Sequence, residues 1–139
     1  MHTLTFDHLV NSPPEAVWAL VGPFGSVAQW HPGVTACDLS QDAEGRMLRT
    51  LTYTNGKQGI ERLISHDDAA RSYHYTVVGG ALPVRFFNGQ FQVLGNAGQS
   101  RVRWSITFEV PAGAPEERVV AILDSILQAA GPGLTAKLG

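Results

Sequence analysis

Between Arg101 and Val110 the chain alternates without a break. Val102, Trp104, Ile106, Phe108 and Val110 are apolar, and Arg101, Arg103, Ser105, Thr107 and Glu109 are polar. A period of two marks a strand with one buried and one wet face. A sheet of such strands needs a second layer over its apolar side. The next long apolar pattern follows at once. After Pro115, residues Val119, Ile122, Leu123, Ile126, Leu127 and Ala130 recur at helical spacing, with Glu116 and Glu117 at the positive end of the helix dipole. A helix over residues 115–130 would be about 24 Å long, enough to lie across a sheet. Gly131-Pro132-Gly133 is expected to end or kink it, with Leu134 and Leu138 in a final turn or two. The two patterns together predict an α+β fold. A curved antiparallel sheet wraps a long C-terminal helix, with an apolar cavity of small-molecule size between them.

The remaining elements fit that plan. Leu4, Phe6, His8 and Val10 share one face of a first strand. Ser12, Pro13 and Glu15 spell a capping box for a short helix whose buried stripe is Val17, Trp18, Leu20 and Val21. Gly22-Pro23 ends it, and a second short helix over Ser26 to Trp30 stops at Pro32. Strand-like runs follow at Val34–Leu39, Arg46–Thr54, Gln58–Ser65, Ser72–Val78, Val84–Leu94 and Arg101–Val110. Asn55-Gly56 reads as a hairpin turn and Gly79-Gly80-Ala81-Leu82-Pro83 as a flexible loop. Strands joined by tight turns form a meander.

At 139 residues the chain fits one domain, residues 1–139, large enough to need no covalent staples. The net charge is -2 and no basic run occurs, which argues against a nucleic-acid partner. No stretch is expected to reach the roughly 18 apolar residues of a membrane span. The first eight residues lack the cationic start and apolar run of a signal peptide. One cysteine, Cys37, excludes an internal disulfide and points to a reducing, cytoplasmic setting. No His/Cys/Asp/Glu cluster has metal spacing, and no phosphate-binding loop, dinucleotide fingerprint or nucleophile elbow appears. Neither a metal nor a cofactor is expected.

Three segments carry a family resemblance: Ser12-Pro13-Pro14-Glu15-Ala16-Val17-Trp18, Val21-Gly22-Pro23-Phe24-Gly25 and Trp30-His31-Pro32. They resemble the opening of the polyketide cyclase/dehydrase and lipid-transport family, and Glu61-Arg62-Leu63, Asp67-Asp68 and Gly79-Gly80 resemble its middle. That family lies in the SRPBCC, START-like and birch-pollen-allergen superfamily. The resemblance spans nearly the whole chain and implies a helix-grip fold. It leaves function open, since the superfamily holds cyclases, lipid carriers and hormone receptors. The plant abscisic-acid receptors are similar in the middle segment. Their acidic cavity residue falls at Glu61, and their two mobile loops at Thr54 to Lys57 and Gly79 to Pro83. Their first-loop motif is absent at Asn55-Gly56-Lys57, and Leu82-Pro83 replaces the His-Arg pair of their second loop. Thr35 and Phe87 replace a cavity lysine and tyrosine. The receptor function therefore does not carry over, whereas two loops around a cavity mouth do.

Glu61 is the first candidate for chemistry, because the resemblance places it in the cavity. A carboxylate in an apolar pocket has its charged form disfavoured, which suits a general acid or base. The alternative is a Glu61 that faces water or pairs with an arginine. Arg49 shares its parity with Met47, Leu51 and Tyr53 on the neighbouring hairpin arm. Facing inward, it could hold Glu61 or a ligand carboxylate, and pairing with Glu61 would weaken the acid–base reading; the alternative is a solvated strand charge. Arg85 is a second cation candidate at the mouth, with plain surface charge as its alternative. Trp30 and His31 stand where the fold opens; His31 could shuttle a proton or merely satisfy backbone groups. His8 reads as a satisfied core residue, and His66 and His74 as surface residues.

The aromatic set Tyr53, Tyr73, Tyr75, Phe87, Phe91, Trp104 and Phe108 lies on inward parities. It could stack on a planar ligand or simply pack the core. Leu82 and Pro83 in the loop, and Ile122 and Ile126 on the helix, complete the expected ligand wall. The expected ligand is a hydrophobic, aromatic or polycyclic small molecule, bound for cofactor-free cyclisation or dehydration. The rival is a carrier or sensor with gating loops. A sheet edge or the loop end could support a homodimer, although no sequence feature demonstrates one.

Overall fold

The computed structural model describes residues 1–139. In chain order the elements are β1 (His2–Val10), α1 (Pro14–Val21), α2 (Val27–Trp30), β2 (Val34–Gln41), β3 (Met47–Tyr53), β4 (Gln58–Asp67), β5 (Ser72–Gly80), β6 (Arg85–Asn96), β7 (Gln99–Glu109) and α3 (Glu116–Leu138). The seven strands form one antiparallel sheet in the order β1-β7-β6-β5-β4-β3-β2. Register shifts at Val34/Ala36, Ile60/Glu61, Leu63/Ser65 and Arg85/Asn88 interrupt the ladders. Such bulges bend strands and sharpen their twist, which curls the sheet toward α3. The expected helix-grip fold is the one observed.

The alternation of β7 sets the core. Val102, Trp104, Ile106 and Phe108 are buried, while Arg101 and Arg103 stand in solvent and share Asp7 of β1. One row of paired residues crosses four strands: Phe6, Trp104, Phe91 and Tyr73. Trp30 of α2 caps that row, its ring centroid 5.3 Å from Phe91 and 6.1 Å from Trp104. In the next row Tyr75 faces Gly89. A Cβ at Gly89 would collide with the tyrosine ring, so glycine lets Tyr75 lie flat across β6. From α3, Val119, Leu123, Leu127 and Leu134 are buried against the sheet. Each contributes about 1.5–3 kcal/mol of apolar transfer.

Three local expectations need correction. Pro13, not Ser12, occupies the cap position of α1, and Pro14 opens the helix. Ser12 Oγ instead donates to the Leu138 carbonyl at the end of α3, so no capping box forms. Second, Gly131-Pro132-Gly133 does not end α3, which runs 23 residues through Pro132. The missing proline N–H is tolerated where the glycines allow close packing. A Cβ on Gly133 would collide with the Trp30 carbonyl, and one on Gly131 would stand 3.4 Å from the His8 ring. Third, α3 is long and apolar enough by composition to cross a membrane. Here it is the core helix, with its buried stripe consumed by the sheet.

Candidate functional site

The grip of sheet on helix is filled in one half and hollow in the other. The Trp30, Phe91 and Tyr73 cluster packs the filled half. The hollow half is a cavity of about 490 Å³, walled mainly by hydrophobic side chains of β2 to β7, α2 and α3. Its exposed rim comes from the β3–β4 turn (Thr54, Asn55, Lys57), Ala81 of the β5–β6 loop, and Arg118 and Ile122 of α3.

Glu61 sits where β4 bulges, and a bulge re-aims a side chain. It lies directly opposite Arg49 of β3. Arg49 Nε and Nη2 both stand 2.8 Å from Glu61 Oε1. Arg49 Nη1 donates to the Phe24 carbonyl and to Tyr73 Oη, each at 3.1 Å. The guanidinium carbon lies 4.1 Å from the Phe24 ring centre and 4.8 Å from that of Tyr75. Burial opposes the charge, but Tyr73, Glu61 and Tyr75 hold Arg49 protonated, above the usual arginine range. Arg49 thus lies behind the cavity wall, fully engaged. Its place is the glutamate-pairing alternative raised by the sequence. Glu61 Oε2 accepts from no protein donor and is not sealed from the cavity.

Tyr53 stands on the same wall, and its hydroxyl has no protein partner. Burial, and then the charge of Glu61, push its phenol above the usual tyrosine range, so it remains a neutral O–H donor. Tyr75 also lines the cavity, but its oxygen accepts from Trp104 Nε1 at 2.8 Å.

His31 reaches the wall with both nitrogens occupied. Gly33 N–H donates to Nδ1 at 3.0 Å, so the ring proton is on Nε2, which donates to the Ile126 carbonyl at 2.7 Å. Burial pushes its pKa below the usual histidine value, keeping the ring neutral. The arrangement ties α2 to α3 and leaves no nitrogen free to shuttle a proton.

Of the other expected ligand residues, Leu82, Phe87, Trp104, Ile122 and Ile126 line the cavity. Trp30, Tyr73, Phe91 and Phe108 are packed in the core instead. Parity places Tyr73, Phe91 and Phe108 on the correct face, but Trp30 of α2 caps Phe91 beside Tyr73 in the filled half, and Phe108 is fully buried against Phe87. Pro83 is exposed and off the wall. Arg85 opens β6, turns outward and donates to Glu109 Oε2 at 3.2 Å, so it is not a cation of the mouth. Sequence reasoning missed Lys57 and Arg118, which do stand on the wall. Arg118 carried a legible signal: it lies one helical turn before Ile122 and two before Ser125 and Ile126, all on one stripe. No group of residues is arranged to hold a metal.

Solved structures share this architecture. The protein XoxI from Bacillus cereus is 29% identical, over 95% of this chain and 94% of its own, with a TM-score of 0.80. An uncharacterised Bacillus thuringiensis protein is 30% identical, over 94% of this chain and 97% of its own, with a TM-score of 0.78. A Streptomyces aromatase/cyclase is 15% identical, over 95% and 88%, with a TM-score of 0.71, a likeness of fold alone. No curated protein matches the chain. Residues 1–138 match the family described as polyketide cyclase/dehydrase and lipid transport, and the chain belongs to that family.

Proposed function

We propose that the protein binds an apolar, aromatic or polycyclic small molecule in this cavity, with a ligand O–H or N–H donating to Glu61 Oε2. The observation that carries this reading is that open carboxylate oxygen on an otherwise mainly hydrophobic wall. Arg49 compensates the charge from behind, so the second oxygen is fixed in place for a donor. Tyr53 Oη offers the ligand a further donor or acceptor. The aromatic wall of Tyr75, Phe87 and Trp104 suits a planar body. A reducing, cytoplasmic setting agrees with the single free Cys37.

A catalytic reading rests on the same two groups. Glu61 would take a proton from carbon while Tyr53 gives one to a departing hydroxyl, with net loss of water and no cofactor. The likeness to an aromatase/cyclase motivates it. The commitments of Arg49 and His31 to protein partners favour the binding reading, that of a carrier or sensor. Native mass spectrometry against a denatured control is the test. The wild type should carry a stoichiometric small molecule that Glu61→Gln retains poorly. Equal retention by both would refute the role given to Glu61. A changed ligand mass after incubation with wild type but not with Glu61→Gln would favour catalysis.

A further inference from the structure

The charges on the cavity wall are ordered along its depth. The inner one is Glu61, buried and neutralised by Arg49. The outer ones are Lys57, in the β3–β4 turn, and Arg118, in the first turn of α3, both exposed. Neither cation is in an ion pair; of the four unpaired cations, Lys57, Arg62, Arg118 and Lys137, only these two stand on the cavity wall. Glu116, two residues from Arg118, is turned to His2 at 3.4 Å. A cation in the first turn of a helix also sits at the unfavourable end of the dipole. No carboxylate of the wall offsets it at the rim; Glu61 is the wall's one acid.

We infer that the ligand is an amphiphile with a single anionic head, such as a carboxylate, held at the mouth by Lys57 and Arg118, and with its apolar body pointing inward. The inference rests on the binding reading above and adds the ligand's charge and direction. In the reverse orientation a ligand carboxylate would meet Glu61 Oε2, acceptor against acceptor, with Arg49 already engaged by Glu61, Phe24 and Tyr73. A donor such as a hydroxyl suits the inner end, and an anion suits the rim. Neutral polar groups at the rim, Asn55, Gln58 and Ser125, can complete the head's hydrogen bonds.

The test uses two fluorescent probes with the same ring and chain, pyrenebutyrate and its methyl ester, which has neither the charge nor a donor for Glu61. Wild type should bind the carboxylate about tenfold more tightly at low salt, since two exposed charges each give a few-fold. The preference should shrink as salt is raised. It should vanish in Lys57→Gln/Arg118→Gln, which should bind the two probes alike. Both substitutions are on exposed side chains, so the fold is kept. Arg101→Gln/Arg103→Gln removes the same charge from the outer face and should leave the preference intact. Equal binding of the two probes, an unchanged preference in the rim variant, or an equal loss in the outer-face variant would each overturn the inference while the cavity reading stands. Failure to bind either probe would overturn both.

Discussion

Replacing Arg49 by methionine isolates the buried pair. The substitution removes both donors from Glu61 Oε1, the donor to the Phe24 carbonyl and the donor to Tyr73 Oη. It also removes the cation stacked on Phe24 and Tyr75. A buried carboxylate left without its partner costs about 3–5 kcal/mol. At 139 residues the unfolding entropy near the midpoint is about 0.3 kcal/mol per kelvin. Arg49→Met should therefore lower Tm by roughly 10–17 °C. The double variant Arg49→Met/Glu61→Leu has no charge to strand. It should recover the cost of the stranded carboxylate and keep only a residual loss of about 1–3 kcal/mol from the Phe24 carbonyl and Tyr73 Oη, which still lack their donor. Urea unfolding followed by tryptophan fluorescence, completed with Glu61→Leu as a double-mutant cycle, measures the coupling. A single variant within about 1 kcal/mol of wild type, or a double variant no better than Arg49→Met, would refute this account of the pair.

Three further outcomes follow from packing and burial. Gly133→Ala should destabilise by about 3 kcal/mol or more, because its Cβ meets the Trp30 backbone, which cannot swing aside. Gly131→Ala, whose Cβ would only touch the His8 ring, should change stability by less than about 1 kcal/mol, and thermal melts of the two variants should separate clearly. His31 has a folded pKa below its unfolded one, so the unfolded chain binds more protons in mild acid. Stability should fall as pH drops through about 6.5, and urea midpoints should show a shallower fall in His31→Gln. Ligand binding should slow hydrogen exchange at the end of β5 and in the loop after it, where Gly79, Ala81 and Leu82 line the wall; unchanged exchange at saturation would count against a gating loop.

Much of the architecture was legible because strands and helix declare their faces by period. The alternation of β7 and the stripe of α3 are local signals, and the seven strands lie within a few residues of where those signals put them. What period cannot tell is depth along a strand. Tyr73 and Tyr75 share a face, yet Tyr73 packs under Trp18 of α1 and Phe24 of the segment that follows it, while Tyr75 meets the cavity. The difference depends on where the short helices dock, a contact between residues distant in sequence. Resemblance pointed Glu61 toward the cavity, and strand parity raised pairing with Arg49 as one of several alternatives. That His31 satisfies backbone groups was one of its two sequence readings, but its remote partner, Ile126, was not legible at a distance of 95 residues. Ser12 misled for a similar reason: its capping signal is local, but the competing acceptor, Leu138, is remote.

The sheet order carries a consequence for how the chain is made. Strands β2 to β7 each pair with a neighbour in sequence, so the meander can form progressively as it is synthesised. The first strand cannot join it. Its sole partner is β7, which bonds His2 to Phe108 and Val10 to Ser100. Asn11 and Ser12 then bond the last two residues of the chain. β1 leaves the ribosome ahead of every other strand of the sheet yet is fixed among the last, and it waits with unpaired edges until β7 has emerged. Alternation of exposed threonines and Asp7 with apolar residues along β1 keeps that wait from presenting a continuous hydrophobic strand to other chains.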